Sequence, residues 1–280
     1  MKYLAMLFLT IREAVLQWTL LFYFAAGNCI ILFFAYALAL SPTDSSMITF
    51  FGEPLAPRNI GGLNPIDFIL IQVQRSSTSS ILLFGVFAVA GLIPSMLEKG
   101  TIEVYLSKPL SRGGLLLSRA LGAATGVAVN LLYFAVGIWL VFGLKLGIWH
   151  GSFLLSFVVV TLAFFLFFSV VTFAGVITRS TGFSIMLAFL YTFFSAALES
   201  REMALFKIWD NEIYHRALDV LYYITPQLSS MLDNSSRVIG NLAIGPNSGQ
   251  PFDVLPFVYS LLSAAALYAL SIRYFAKQDY

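Results

Sequence analysis

Charge is what this sequence has least of. Asp, Glu, Lys and Arg supply 11% of the 280 residues, where a soluble domain carries about a quarter. With 59% of its residues hydrophobic, the chain cannot hide its apolar surface in a core of its own. Another apolar medium has to cover it, and a lipid bilayer is that medium. A formal net charge of +2 gives no basic patch for a nucleic acid, so none is expected as partner. The single cysteine, Cys29, excludes an intramolecular disulfide. It sits in an apolar run, where packing is its ordinary role, and says nothing about redox compartment.

Ligand chemistry is equally scarce. His150 and His215 are the only histidines, and neither has a second His or Cys at metal-ligand spacing. No metal site and no cofactor are expected. The sequence contains no G-x-x-x-x-G-K-[ST] phosphate loop, no G-x-S-x-G elbow and no H-E-x-x-H pair, so nucleotide hydrolysis, nucleophilic hydrolysis and zinc hydrolysis have no visible machinery. No catalytic residue is assigned, and the chain reads as a non-enzyme.

What is abundant is length of apolar run. A membrane helix needs about 20 mostly apolar residues, and six stretches qualify: Trp18–Leu40, Ser80–Leu97 with a possible upstream extension, Gly114–Leu144, Ser152–Thr178, Gly182–Leu198 and Leu255–Phe275. The fold class is therefore an all-α integral membrane protein with about six transmembrane helices, forming a single domain over 1–280. The first run is too long for the apolar region of a cleaved signal, despite small-residue triplets near Ala37.

Residues 1–17 place Leu4, Leu7, Phe8, Ile11 and Val15 at helical spacing. Two readings stand: a helix lying in the membrane interface, which is favoured, or an extended start of the first span. An even number of spans puts both termini on one side. Nine basic residues then share that side: Lys2, Arg12, Lys99, Lys108, Arg112, Arg119, Arg179, Arg273 and Lys277. Basic excess marks the cytoplasm, so both termini are expected there, in a multi-pass protein of the plasma (inner) membrane. Two long outer loops remain, 41–79 and 199–254. The first is rich in Pro and Gly, and its end, PIDFILIQVQRSS, can prolong the second span as a helix. The second holds a helical patch, EIYHRALDVLYYI, and a loop-like stretch, Gly240–Pro251. Asn234-Ser-Ser is a formal glycosylation sequon, meaningful only in a eukaryotic source.

No ionisable residue falls near the middle of these runs, which disfavours a proton-coupled transporter. Arg119 and Lys145 sit near opposite ends of the third run, where they can snorkel. Asn28, Asn130, Ser169 and Thr172 are the deeper polar groups, expected to bond between helices. The span faces are apolar or aromatic, so no wide hydrophilic tunnel is advertised. An amphipathic or lipid-linked cargo, or a signal to an outer-face partner, suits them better.

The informative segment joins the second and third runs. It reads EKGTIEVYLSKPLSR, Glu98 to Arg112. Gly100 can close the preceding helix in a left-handed cap, and Thr101 can cap a new one. Ile102, Tyr105 and Leu106 make an apolar edge, Glu98, Glu103, Lys108 and Arg112 give mixed charge around it, and Pro109 stops it. A short amphipathic helix held beneath the membrane and an ordinary charged turn are both compatible with this pattern.

The same segment resembles the E-x-G-T-[LI]-E-x-L-L-[SA]-x-P-[LIV]-[ST]-R signature of type 2 ABC exporter permeases. It is most similar to the six-span subgroup that includes the permease of the nitrous-oxide-reductase copper-maturation system. Glu98, Gly100, Thr101, Glu103, Leu106, Pro109, Ser111 and Arg112 match, while Tyr105 departs where Leu is commoner. The resemblance implies that 98–112 is a cytoplasmic coupling helix seated on a separate ABC ATPase subunit. It makes Glu98, Gly100, Thr101, Glu103, Leu106, Pro109 and Arg112 the ATPase interface and 1–17 an elbow helix. TPQLSSML resembles the Pro-containing segment before the last span of such permeases. A second permease copy, giving a homodimer, and a periplasmic or outer-face partner are also implied. Two other classes stay in view. A lipid- or peptide-acting membrane enzyme would need convergent ionisable residues at membrane depth, and a purely structural membrane subunit would need no ATPase beside it.

Overall fold

The computed structural model describes residues 2–16, 18–40, 48–54, 65–106, 111–147, 149–209, 211–244 and 252–278. Eleven helices run in chain order through these residues: α1 Lys2–Leu16, α2 Trp18–Ala37, α3 Pro65–Val89, α4 Leu92–Met96, α5 Thr101–Leu106, α6 Arg112–Leu146, α7 Gly151–Thr178, α8 Thr181–Glu199, α9 Glu212–Ile224, α10 Leu228–Ile244 and α11 Leu255–Lys277. Three short strands, β1 Leu38–Leu40, β2 Ile48–Phe50 and β3 Glu53–Pro54, form an antiparallel sheet in the order β1-β2-β3. Among the described residues six helical stretches are long and apolar enough to cross a membrane, namely α2, Ile69–Met96 across α3 and α4, α6, α7, α8 and α11. The chain is an all-α integral membrane protein.

The second span begins well before Ser80, as its upstream residues allow, and Arg75 therefore falls inside it. It breaks at Ala90–Gly91 because Pro94 has no N–H to give the carbonyl of Ala90 and its ring crowds that carbonyl. At 35 residues, α6 is about 52 Å long at 1.5 Å per residue. The hydrocarbon layer is about 30 Å thick, so α6 protrudes from it. Ser111 caps its start by accepting from Gly114 N at 3.2 Å, and Gly147 at φ 71° ends it.

Helix α7 is the axle. Phe153, Phe157, Phe164, Phe167 and Phe168 are fully enclosed, surrounded by α6, α8, α10 and α11. By contrast α2 and α8 bury little of themselves within this chain. Helix α1 lies on α6 through an unexpected stripe. Met6, Thr10 and Ala14 face the protein, while Phe8 of the apolar stripe faces outward, as does its neighbour Leu9. The contact works because α6 carries Gly122-Ala-Ala-Thr-Gly126, a small-residue seam that lets helices approach closely. A Cβ on Gly122 would stand 2.7 Å from Thr10 Cβ.

The loop regions bring three further differences. Residues 38–40 and 48–54 pair as short antiparallel strands rather than forming turns alone, and 41–47 and 55–64, the rest of the Pro- and Gly-rich stretch, lie outside the described residues. Gly240–Ile244 continues α10 as helix, and 245–251, the rest of the expected loop, lies outside the described residues. Asn234, the sequon residue, is buried and donates to Ser230 O at 2.9 Å, so no glycan could reach it in this fold. Of the deep polar residues, Asn28 bonds between helices, accepting from Tyr133 Oη at 2.8 Å, whereas Ser169 turns back to Leu166 O in its own helix.

Candidate functional site

The end of the bundle that carries α5 is assembled around one arginine. Arg119, about two turns into α6, does not snorkel. Its side chain is 1% exposed and is held on all sides. Nε donates to Leu92 O at 3.1 Å, one terminal nitrogen donates to Glu13 Oε1 at 2.7 Å, and the other reaches Glu13 Oε2 and Tyr105 Oη, the latter at 3.1 Å. The reason is local. Glu13 projects from α1 once α1 lies on the Gly122 seam, and a paired guanidinium inside is cheaper than two separately buried groups. The bidentate fork fixes orientation as well as charge. One side chain thus ties together α1, α4, α5 and α6.

Helix α5 hangs from this joint. Gly100, at φ 86°, turns the chain from α4 into it, a left-handed conformation only glycine adopts without strain. Thr101 is the first residue of α5, and Ile102 N and Val104 N donate to Glu98 O and Gly100 O. The inner edge is Ile102, 2% exposed, with Tyr105 on Arg119. Glu98, Gly100, Thr101, Glu103 and Val104 are exposed on the opposite side.

Two of the expected interface residues are placed elsewhere or lie beyond description. Arg112 donates to Ala276 O at 3.1 Å and Gln278 O at 2.7 Å, closing the end of α11, where a cation suits the helix dipole. Leu106 ends α5, and Pro109 is in 107–110, outside the described residues.

The opposite end carries a second polar assembly that the sequence does not announce. Arg75 of α3 donates to Ser236 Oγ at 3.2 Å and pairs with Asp233 of α10. Asp233 is shared with Arg237. Gln74 donates to Ser235 Oγ at 2.6 Å. Close by, Arg201 fastens α9 to the end of α8. Its Nε donates to Asp219 Oδ1 at 2.7 Å, and its guanidinium lies 3.9 Å above the Tyr222 ring. Burial works against the charge on Arg201, but the Asp219 hydrogen bond and charge outweigh it and hold the group above its usual range. Among the described residues no group of three or more His, Cys, Asp or Glu is placed to hold a metal ion.

Six helical stretches long and apolar enough to cross a membrane make the chain a multi-pass membrane protein. The sequence pattern of the ABC-2 family transporter proteins matches residues 31–280, and the chain belongs to that family. It is a membrane permease subunit of an ABC transporter, a class that implies an ABC ATPase as partner. No curated protein matches the chain.

Proposed function

We propose that the chain is the membrane half of an exporter driven by a separate ATPase subunit that docks on α5 from the cytoplasm. The observation that carries this reading is the two-sidedness of α5. Its outer face and the turn before it offer Glu98, Thr101, Glu103 and Val104, while its inner edge is joined through Tyr105 to Arg119. A push on the outer face is passed to α1 and α6 together, because Arg119 grips Glu13 at the same time. Glu98 and Glu103 pair with basic groups of the ATPase, and Gly100 sets the angle at which α5 is presented. Leu106, Pro109 and the adjoining chain complete the docking surface, and Arg112 holds the end of α11 beside it.

Lys99, Arg112, Arg179, Arg273 and Lys277 gather at the α5 end, which supports placing it and both termini in the cytoplasm. A second copy covers the sparsely buried faces of α2 and α8, forming the homodimer, and lipid covers the remainder. Co-purification of the full-length chain with its ATPase tests the docking surface. Glu98→Lys with Glu103→Lys leaves folding unchanged, since both residues are exposed, but abolishes ATPase binding and ATP-driven activity. Binding and activity that survive the double reversal overturn the reading.

A further inference from the structure

We propose that the cleft between α3, α8 and α10 is a selective seat for an ethanolamine phospholipid, a lipid whose headgroup ends in a primary ammonium. Two cavities of about 230 Å³ each adjoin there, sharing Ser79, Ser229 and Leu232. One is polar, bordered by Gln74, Arg75, Glu199 and Asp233. The other is walled by Leu82, Leu83, Phe193 and Leu228. Along α3, Leu82 lies about 12 Å below Gln74, and along α8, Phe193 lies about 9 Å below Glu199, at 1.5 Å per residue. Polar groups therefore gather at one depth and carbon walls at the next, the order in which a phospholipid presents its headgroup and chains.

The chemistry of the polar end selects the headgroup. Gln74 is 1% exposed. The Ser235 hydroxyl donates to Leu232 O at 2.6 Å, so towards Gln74 it can only accept. This fixes the amide with its nitrogen on Ser235. Gln74 Oε1 is left buried without a partner, an acceptor whose lost hydration only a donor can replace. Glu199 borders the same cavity with Ser230 as its hydrogen-bonding neighbour. Arg75 and Arg237 balance Asp233 and Glu199, so the cluster is neutral and favours a headgroup of no net charge. An ammonium with N–H donors meets Gln74 Oε1 and Glu199, and the phosphate falls beside half-exposed Arg75. A choline headgroup has the same net charge but no N–H. A glycerol headgroup has donors but carries net negative charge.

Native mass spectrometry of the full-length chain, titrated in parallel with dioleoyl phosphatidylethanolamine, phosphatidylcholine and phosphatidylglycerol, tests this. Retention of the ethanolamine lipid about fivefold above the choline lipid is expected, the worth of one net hydrogen bond. Gln74→Met erases that preference, Glu199→Gln reduces it, and Leu83→Trp lowers retention of every lipid by filling the chain groove. Thermal unfolding identifies any variant that fails to fold, and Glu199→Gln, at an exposed position, then carries the test alone. Equal retention of the ethanolamine and choline lipids overturns the proposal. So does strongest retention of the glycerol lipid, or a preference that is undiminished in the folded variants. No ATPase takes part in this measurement, so its failure leaves the docking on α5 standing, and a failure of docking leaves the lipid seat standing.

Discussion

Arg119 in α6 and Arg75 in α3 are both arginines within membrane helices, and their surroundings differ in kind. Arg119 is closed off, with Leu92, Glu13 and Tyr105 accepting from it. Arg75 is half exposed, shares Asp233 with Arg237, and borders a cavity. A guanidinium with four of its five N–H groups bonded to the chain is held in one arrangement, which makes it a joint that passes displacement between helices. A guanidinium that shares its acceptor beside unfilled space keeps capacity for something else. Inward charge in a membrane helix is costly in either case, and what separates a joint from a site is whether the hydrogen bonds close on the protein itself.

Breaking the joint gives the largest expected effect. Glu13→Leu leaves Arg119 buried and unpaired and destabilises the chain by about 3 kcal/mol, near the low end for a broken buried pair because Glu13 itself is partly exposed. Glu13→Leu combined with Arg119→Met recovers most of that loss, because both charges leave together. Thermal unfolding in detergent reads both variants, and a neutral Glu13→Leu removes the distinction between the two arginines. A smaller effect is expected one turn along α6. Gly122→Val drives a side chain into Thr10 and costs about 1–3 kcal/mol. It lifts α1 away, so trypsin cleaves at the exposed Arg12 faster than in the unaltered chain. Unchanged cleavage would mean that α1 does not depend on the seam.

The six spans were legible because apolar length is a local property of the chain. So was α9, where Asn211 accepts from Ile213 N at 2.9 Å and EIYHRALDVLYYI keeps a helical period. Gly100 announced its left-handed conformation for the same reason, though it lies beyond Leu97, the cap residue of α4, and leads into α5 instead of closing the preceding helix. Four features were hidden. The strands β1 and β2 are three residues each, and their pairing depends on chain segments apart in sequence. Helix α10 reads as polar, with Ser229, Ser230, Asn234, Ser235 and Ser236, and it forms because α3 and α7 pack against it, context overriding propensity. Arg119 looked free to snorkel because Glu13 lies 106 positions away. The acceptor site had the same concealment, since Gln74 and Ser235 are 161 positions apart. Of the residues proposed to dock, Thr101 and Glu103 lie outward on α5 and Glu98 is exposed in the turn before it, whereas Arg112 closes the end of α11.

The smallest expected effect sharpens the contrast from the other side. Arg75→Met removes a guanidinium whose side chain is 53% exposed. Asp233 keeps Arg237, with Nε at 2.9 Å from Oδ2, so no carboxylate is stranded, and an exposed pair contributes at most about 1 kcal/mol. The same thermal measurement applied to Glu13→Leu and Arg75→Met should therefore separate them clearly. A loss at Arg75 as large as that at Glu13 would make the α3–α10 assembly a second joint, and the cavity beside it would be a packing defect rather than a place for a ligand.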